Sequence, residues 1–424
     1  MIENKRVAVW DNIKFFLILL VCVGHFSSAA EDVFDVCWSI DLVITSFHMP
    51  FFIFVSGVFY KDKDIKERIM SFLAIYVVSK AVFLVEYLIN GWNTEYRLFY
   101  GDGLPWFMFA LAVFYFLNYL FRNQNKLFVL IIAVVIAIFA GYDSTISTFL
   151  TLNRIITFYP FFLAGSMINR KSMEKLFAKP ALKIIGFAIF AAWCVACFVY
   201  LDQMKGMRLM FTGGNQYDAL PLSKYGGLYR MVAYIITSIV GLAFLFMIPT
   251  RRLGFITRFG ERSIQVYFWH YVVIHIFTGL HLQEKYFFNT TTGMVLWLLI
   301  GVLVTFILSL KVFKYPTCWL QPKYIRFAED RLFERKHVAA AIGIYVGLTV
   351  VLSVVMIITN PKGWKYENGE WYYKNFFGMN ETGWIEINGS SYYCDTDGVM
   401  ATGIQEIDGE SYQFDDNGKL ISEN

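Results

Sequence analysis

Eleven long apolar segments dictate what this chain can fold into. They span about residues 10–30, 41–60, 69–89, 105–121, 127–142, 154–169, 181–201, 228–249, 263–281, 293–313 and 338–359. A helix rising ~1.5 Å per residue needs about 20 apolar residues to cross a hydrocarbon core of ~30 Å. The chain therefore reads as an all-α polytopic membrane protein with about eleven transmembrane helices, followed by a short polar tail. Charged residues make up only 17% of it, against about 25% in a soluble protein.

The connectors set an orientation. Lys61, Lys63, Lys66 and Arg68 follow the second segment, Arg122 and Lys126 the fourth, and Arg170, Lys171, Lys175 and Lys179 the sixth. Arg251, Arg252, Arg258 and Arg262 follow the eighth, and Lys314, Lys323, Arg326, Arg331, Arg335 and Lys336 the tenth. The alternate connectors are poorer in cations, with only Arg97 in 90–104, while 202–227 is the exception with Lys205, Arg208 and Lys224. This asymmetry is a topology signal, not a nucleic-acid-binding one, and it places Lys5 and Arg6 in the cytoplasm of a plasma-membrane protein. An eleventh crossing then exports the tail. Six scattered cysteines indicate no disulfide framework, and Cys194 and Cys197 sit in an apolar run as core residues. The first segment reads as an uncleaved helix, not a signal peptide. No metal site is indicated.

Within the first segment, Asp11, Lys14 and His25 are ionisable groups where they are expensive, so they face a protein interior or a cavity. Lys14 and His25 are 11 residues apart, which places them on one helical face roughly 16 Å apart along the axis. Asp11 lies near Lys14 on that face. His48 in the second segment falls at a depth similar to that of His25, and Pro50 is expected to break the helix beside it.

Residues 361–424 change character and repeat every 20 residues. Gly363-Trp364, Gly383-Trp384 and Gly403-Ile404 recur, as do Trp371-Tyr372-Tyr373, Ser391-Tyr392-Tyr393 and Ser411-Tyr412-Gln413. Asn368-Gly369, Asn388-Gly389 and Asp408-Gly409 are hairpin turn signals, so the tail reads as a small β-hairpin repeat solenoid. The organisation is then 1–336 as the membrane domain, 337–360 as an extra crossing with linker, and 361–424 as the repeats.

Two resemblances follow from these residues. The tail resembles the cell-wall-binding (choline-binding) repeats of Gram-positive surface proteins. That resemblance implies aromatic cages for the choline of teichoic acids, held by cation–π attraction, with Trp364, Trp371, Tyr373, Trp384 and Tyr393 as candidates. In the membrane domain, D-N-I-K-x8-V-G-H and F-H-M-P-F-F-I-F-V-S-G resemble the membrane acyltransferase-3 family, especially its branch related to fucose O-acetylases. Leu104-Pro105-Trp106-Phe107, Arg154-x3-Phe158-x-Pro160-Phe161-Phe162-x2-Gly165 and Val266-Tyr267-Phe268-Trp269-His270 agree with it. Where some members carry Arg-x-x-Arg near the third segment, this chain has Lys66-Glu67-Arg68.

The acyltransferase resemblance implies ten core helices and acyl transfer from cytoplasmic acetyl-CoA, or another acyl-CoA, to an extracytoplasmic or lipid-linked sugar hydroxyl. It implies His25 as the catalytic residue, acting as base or transient acyl carrier. It implies that Lys14, fixed by Asp11, orients the track or meets CoA phosphates, and that Arg154 binds acceptor or an oxyanion. His48, Trp106, Tyr267 and His270 are further substrate-side candidates. A non-enzymatic sensing or uptake module, or a scaffold presenting the tail, is the rival reading of the same polar track.

Overall fold

The computed structural model describes residues 7–90, 101, 103–143, 145–146, 148–214, 216–217, 220, 223–322, 363–367, 369–374, 380–387, 389–407 and 410–423. The eleventh apolar segment, Arg97 and the cations from Lys323 to Lys336 lie outside these residues. The chain divides into two units, residues 1–86 with 100–330, and 87–99 with 331–424.

The first unit is helical. Its helices are α1 (Ala8–Ser28), α2 (Asp35–Thr45), α3 (His48–Val58), α4 (Ile65–Asn90), α5 (Trp106–Leu120), α6 (Lys126–Phe139), α7 (Leu152–Met167) and α8 (Arg170–Phe177). There follow α9 (Pro180–Val199), α10 (Leu201–Met204), α11 (Met207–Thr212), α12 (Gly226–Met247), α13 (Phe255–Gly260), α14 (Ser263–Gly279), α15 (Leu282–Tyr286) and α16 (Thr291–Leu308). Each of the first ten apolar segments falls on helix. Six spans among the described residues are long and apolar enough to cross a membrane, and these include the α2–α3 pair as one. Helix starts follow local chemistry: the Asn125 side chain accepts from the Leu127 and Phe128 amides, and Thr290 accepts from Gly293.

Helix α1 is the hub. It packs against α2, α3, α13, α14 and α16, and Ile13, Phe15, Leu17, Ile18, Cys22 and Phe26 are all buried. Helices α3 and α7 cross with glycine against backbone on both sides. A Cβ on Gly57 would strike the Phe162 carbonyl oxygen, and one on Gly165 would strike that of Phe54. The two glycines quoted in the sequence motifs thus let two membrane helices approach closely.

The break in the second segment is not at Pro50. It falls at Ser46–Phe47, and Pro50 sits in the first turn of α3, where a missing N–H costs no helical bond. The polar groups at the break are satisfied from elsewhere: Thr237 Oγ1 donates to the Ser46 carbonyl at 2.6 Å, and Trp193 Nε1 donates to Ser46 Oγ at 3.0 Å.

The second unit's described residues form antiparallel hairpins. Strand β1 (Gly363–Glu367) pairs with β2 (Glu370–Lys374), and β3 (Gly383–Ile387) with β4 (Ser390–Cys394). Strand β5 (Gly403–Ile407) pairs with β6 (Glu410–Phe414), which also pairs with β7 (Leu420–Glu423). Gly369 and Gly389 take φ of 89° and 75° at the tight turns, a region that glycine enters without a Cβ clash. Asp395 Oδ1 accepts from the Asp397 and Val399 amides, and Asp415 Oδ1 from Asn417 and Lys419. The 20-residue period is therefore also a repeat of side-chain-locked turns.

Candidate active site

At the Lys14 end of α1, Lys14 Nζ lies 2.6 Å from Asp11 Oδ1, so the two residues that the spacing puts on one face form an ion pair. Asp11 is buried and Lys14 is about one quarter exposed. The neighbouring Asn12 is fully engaged: its amide donates to the Pro249 and Arg251 carbonyls at 2.7 and 2.9 Å and accepts from Thr257 Oγ1 at 2.7 Å. This end of the motif fastens α1 to the segment before α13. Lys14 meets a carboxylate here, so its charge is already matched within the chain.

At the other end, a cavity of about 290 Å³ opens beside His25. Gly24, His25, Asp41, Thr45, His48, Trp106, Arg154, Phe158, Arg208, Tyr267 and Tyr271 line it, among others. Five sequence candidates, His25, His48, Trp106, Arg154 and Tyr267, thus share one chamber. Asp11 and Lys14 are not among its lining residues; buried Leu17, Ile18, Val21 and Cys22 lie between them and His25 along α1. The polar face of α1 is two stations joined by apolar helix.

Hydrogen bonds between the motifs build the chamber. Tyr267 Oη donates to the Leu104 carbonyl at 2.6 Å, tying α14 to the chain entering α5. The Tyr267 hydroxyl is thereby committed to structure. Arg154 Nη1 donates to the Gly101 carbonyl at 2.8 Å, and its guanidinium lies 4.8 Å from the centre of the Trp106 ring. Trp106 in turn packs on Phe158. His48 Nδ1 lies 2.7 Å from the Ile44 carbonyl. A carbonyl only accepts, so Nδ1 carries the proton and Nε2 is left as an acceptor in the neutral ring. His270 stands behind His25, not in the wall: the ring centres are 5.3 Å apart, and His270 is completely buried.

Sequence reasoning missed a charge cluster on the same chamber. Arg208 Nε donates to Asp41 Oδ2 at 2.5 Å, and Arg208 Nη2 reaches Ser28 Oγ at 3.3 Å and Glu31 Oε2 at 3.4 Å. Thr45 Oγ1 donates to Asp41 Oδ1 at 3.2 Å, and the guanidinium sits 4.9 Å from the Trp38 ring centre. Burial pushes the Glu31 carboxyl up from its ordinary value, and the adjacent Arg208 guanidinium pulls it back. The available signal was the unexpected cations of 202–227. A second missed pair joins α4 to α14, where His275 Nδ1 lies 2.6 Å from Glu86 Oε2.

In the tail, two aromatic clusters form between repeats. Trp364 contacts Tyr373 and Tyr392 at 5.1 and 5.2 Å, and Trp384 contacts Tyr393 and Tyr412 at 5.3 and 4.8 Å. Tyr392 and Tyr412, each from the following hairpin, were not anticipated. Trp371 pairs instead with Tyr366, and both are exposed.

The described residues thus combine membrane-length apolar spans with a polar chamber lined by histidine and arginine, an arrangement that suits a reaction or a transport site. Comparison with known proteins decides between the two. A family model described as an acyltransferase domain matches residues 7–313, and the chain belongs to this family as a membrane acyltransferase. A choline-binding repeat model matches residues 381–424. Among solved structures, the choline binding domain of Spr1274 in Streptococcus pneumoniae is 39% identical over 14% of this chain and 74% of its own, with a TM-score of 0.14. Choline binding protein F from Streptococcus pneumoniae is 33% identical over 14% of this chain and 20% of its own, also with a TM-score of 0.14. The chain thus spans about a fifth of choline binding protein F. No curated protein matches.

Proposed function

We propose that this chain is an integral membrane O-acyltransferase. It moves an acyl group, acetyl in the simplest case, from cytoplasmic acyl-CoA to a hydroxyl of an extracytoplasmic or lipid-linked envelope carbohydrate. The observation that carries this reading is the convergence of His25, His48, Trp106, Arg154 and Tyr267, from five separate sequence motifs, on one chamber. Ten core crossings from a cytoplasmic N-terminus, and an eleventh at 338–359, would put the repeats outside as a short solenoid on the wall.

The chemistry asked of the chamber is ester formation from a thioester. The acceptor oxygen bonds to the acyl carbon, the carbon–sulfur bond breaks, and the hydroxyl proton ends on the released thiol. His25 takes that proton as the oxygen attacks, a task suited to neutral imidazole near pH 7. Arg154 opposes the negative charge on the carbonyl oxygen. Trp106 and the Tyr267 ring offer flat apolar faces to a sugar. Lys14, held by Asp11, keeps the opposite end of α1 electrostatically matched while contributing ammonium donors near arriving phosphates.

Purified full-length protein tests this. Thiol release from acetyl-CoA with wall glycan as acceptor is expected for the wild type. His25→Ala should lower it by about 10²–10⁴-fold, the range for loss of a general base, with insertion unchanged. Unaltered release in that variant, or substrate uptake with no thioester consumption, would overturn the reading.

A further inference from the structure

His270 is fully buried and is not part of the chamber wall, yet its ring centre lies 5.3 Å from that of His25. Its Nδ1 lies 2.9 Å from the Val266 carbonyl and 3.0 Å from that of Tyr267. Both partners are acceptors, so Nδ1 holds the proton. Its Nε2 is buried and meets no hydrogen-bond partner among the described residues. A second proton on Nε2 would be an unmatched buried charge, so Nε2 is a bare lone pair.

A buried acceptor without a donor is an expensive feature to keep. The geometry supplies a donor. The His25 and His270 ring centres are 5.3 Å apart with planes at 31°. Two imidazoles sharing an N–H···N bond of about 3 Å have ring centres roughly 5 Å apart, nearly the same separation. The last side-chain torsion of histidine has a broad well, so a small ring rotation completes the bond. Tyr271 stands edge-on to His25 at 5.0 Å and lies 6.2 Å from the His270 ring, so the three rings form one packed cluster.

We propose that His270 is a positioning residue for His25. Its Nε2 accepts one N–H of the His25 ring, which leaves the lone pair of the other nitrogen facing the chamber. This rests on the reading of His25 as the base. Other groups face His25 or its neighbours: His48 on α3, Arg154 on α7, and His275 on α14 with its Glu86 partner on α4.

The test uses full-length protein with ¹⁵N-labelled histidine. In the wild type, one tautomer of His25 and a through-bond coupling between nitrogens of His25 and His270 are expected. His270→Leu should give a mixture of His25 tautomers. It should also lower kcat for acyl transfer about tenfold or more, with KM for the acyl donor unchanged. His270→Gln, whose carbonyl oxygen can accept the same N–H, should restore a single tautomer and most of kcat. Absence of the coupling together with two His25 tautomers in the wild type would overturn the proposal whether or not any variant folds. If the coupling is present but His25→Ala retains activity, the base assignment fails while the pairing stands.

Discussion

Arg208 and Asp41 are joined by a 2.5 Å bond from Nε to Oδ2 across 167 residues of sequence, and the pair forms part of the chamber wall. Asp41 is 6% exposed and Arg208 is 23% exposed, so the carboxylate depends on the guanidinium more than the reverse. Arg208→Leu leaves Asp41 and Glu31 both unmatched. It should destabilise the helical unit by on the order of 3 kcal/mol, the usual result of breaking a buried pair from one side. Asp41→Leu in the Arg208→Leu background should recover most of that loss. Thermal unfolding of the four proteins in detergent measures the coupling, and additive single effects would argue against it.

The reciprocal glycine contacts of α3 and α7 make a second prediction. Gly57→Ala and Gly165→Ala each force the crossing helices apart, because the opposing atom is backbone and cannot rotate away. Each should cost about 1–3 kcal/mol as overpacking, and the double variant less than the sum, since the first separation makes room for the second methyl. Gly206, where an added Cβ meets nothing within 4 Å, is the control; Gly206→Ala should be close to neutral. Melting temperatures of the set decide it, and a silent Gly57→Ala would show that the crossing is loose.

These two cases mark the boundary of what the sequence reveals. Apolar length located ten of the helical segments, because crossing a bilayer imposes a length on every span. Spacing on α1 put Asp11 beside Lys14, because i and i+3 are neighbours on any helix, and the structure joins the two as an ion pair. Asp41 gave no such signal: its partner arrives from α11, and only tertiary packing brings them together. Tyr392 and Tyr412 were missed because a hairpin's register says which residues share its face, but not which face the next hairpin lays against it. Pro50 misled because proline in a first turn and proline in a helix interior look alike until the N-terminus is known.

In the tail, burial pushes the Cys394 thiol up to about 11 from 9.0, against the Tyr373 backbone hydrogen bond, which pulls the other way. The side chain has no solvent exposure. At pH 8 this lowers its thiolate fraction roughly a hundredfold relative to the unfolded thiol. A thiolate-directed alkylating agent should therefore leave Cys394 unmodified in folded full-length protein and label it quickly in denaturant, as read by peptide mass spectrometry. The same shift fixes a sign for stability. Above pH 9 the unfolded thiol loses its proton first, so the contribution of Cys394, on the order of 2 kcal/mol, declines as pH rises from about 9 to 11. Cys394→Val should remove that part of the decline. Equal labelling rates in the folded and denatured protein would contradict the burial argument.

The two interhairpin aromatic clusters predict an unequal set of tryptophan effects. Trp384 touches Tyr393 of its own hairpin and Tyr412 and Phe414 of the next, so its ring bridges two hairpins. Trp364 does the same with Tyr373 and Tyr392. Among the described residues Trp371 pairs only with Tyr366 of its own hairpin, and it is as exposed as Trp384, at 44%. If the tail takes a quaternary ammonium such as choline, the cation needs a ring face from each of two hairpins. Trp384→Ala and Trp364→Ala should each weaken choline binding by full-length protein about tenfold, corresponding to ~1–2 kcal/mol of cation–π attraction, whereas Trp371→Ala should change it less than threefold. Calorimetric titration with choline, alongside an uncharged isostere as a control for apolar burial, separates the cases. Loss of binding in Trp371→Ala with retention in Trp384→Ala would place the cation within a single hairpin and reject an interhairpin site.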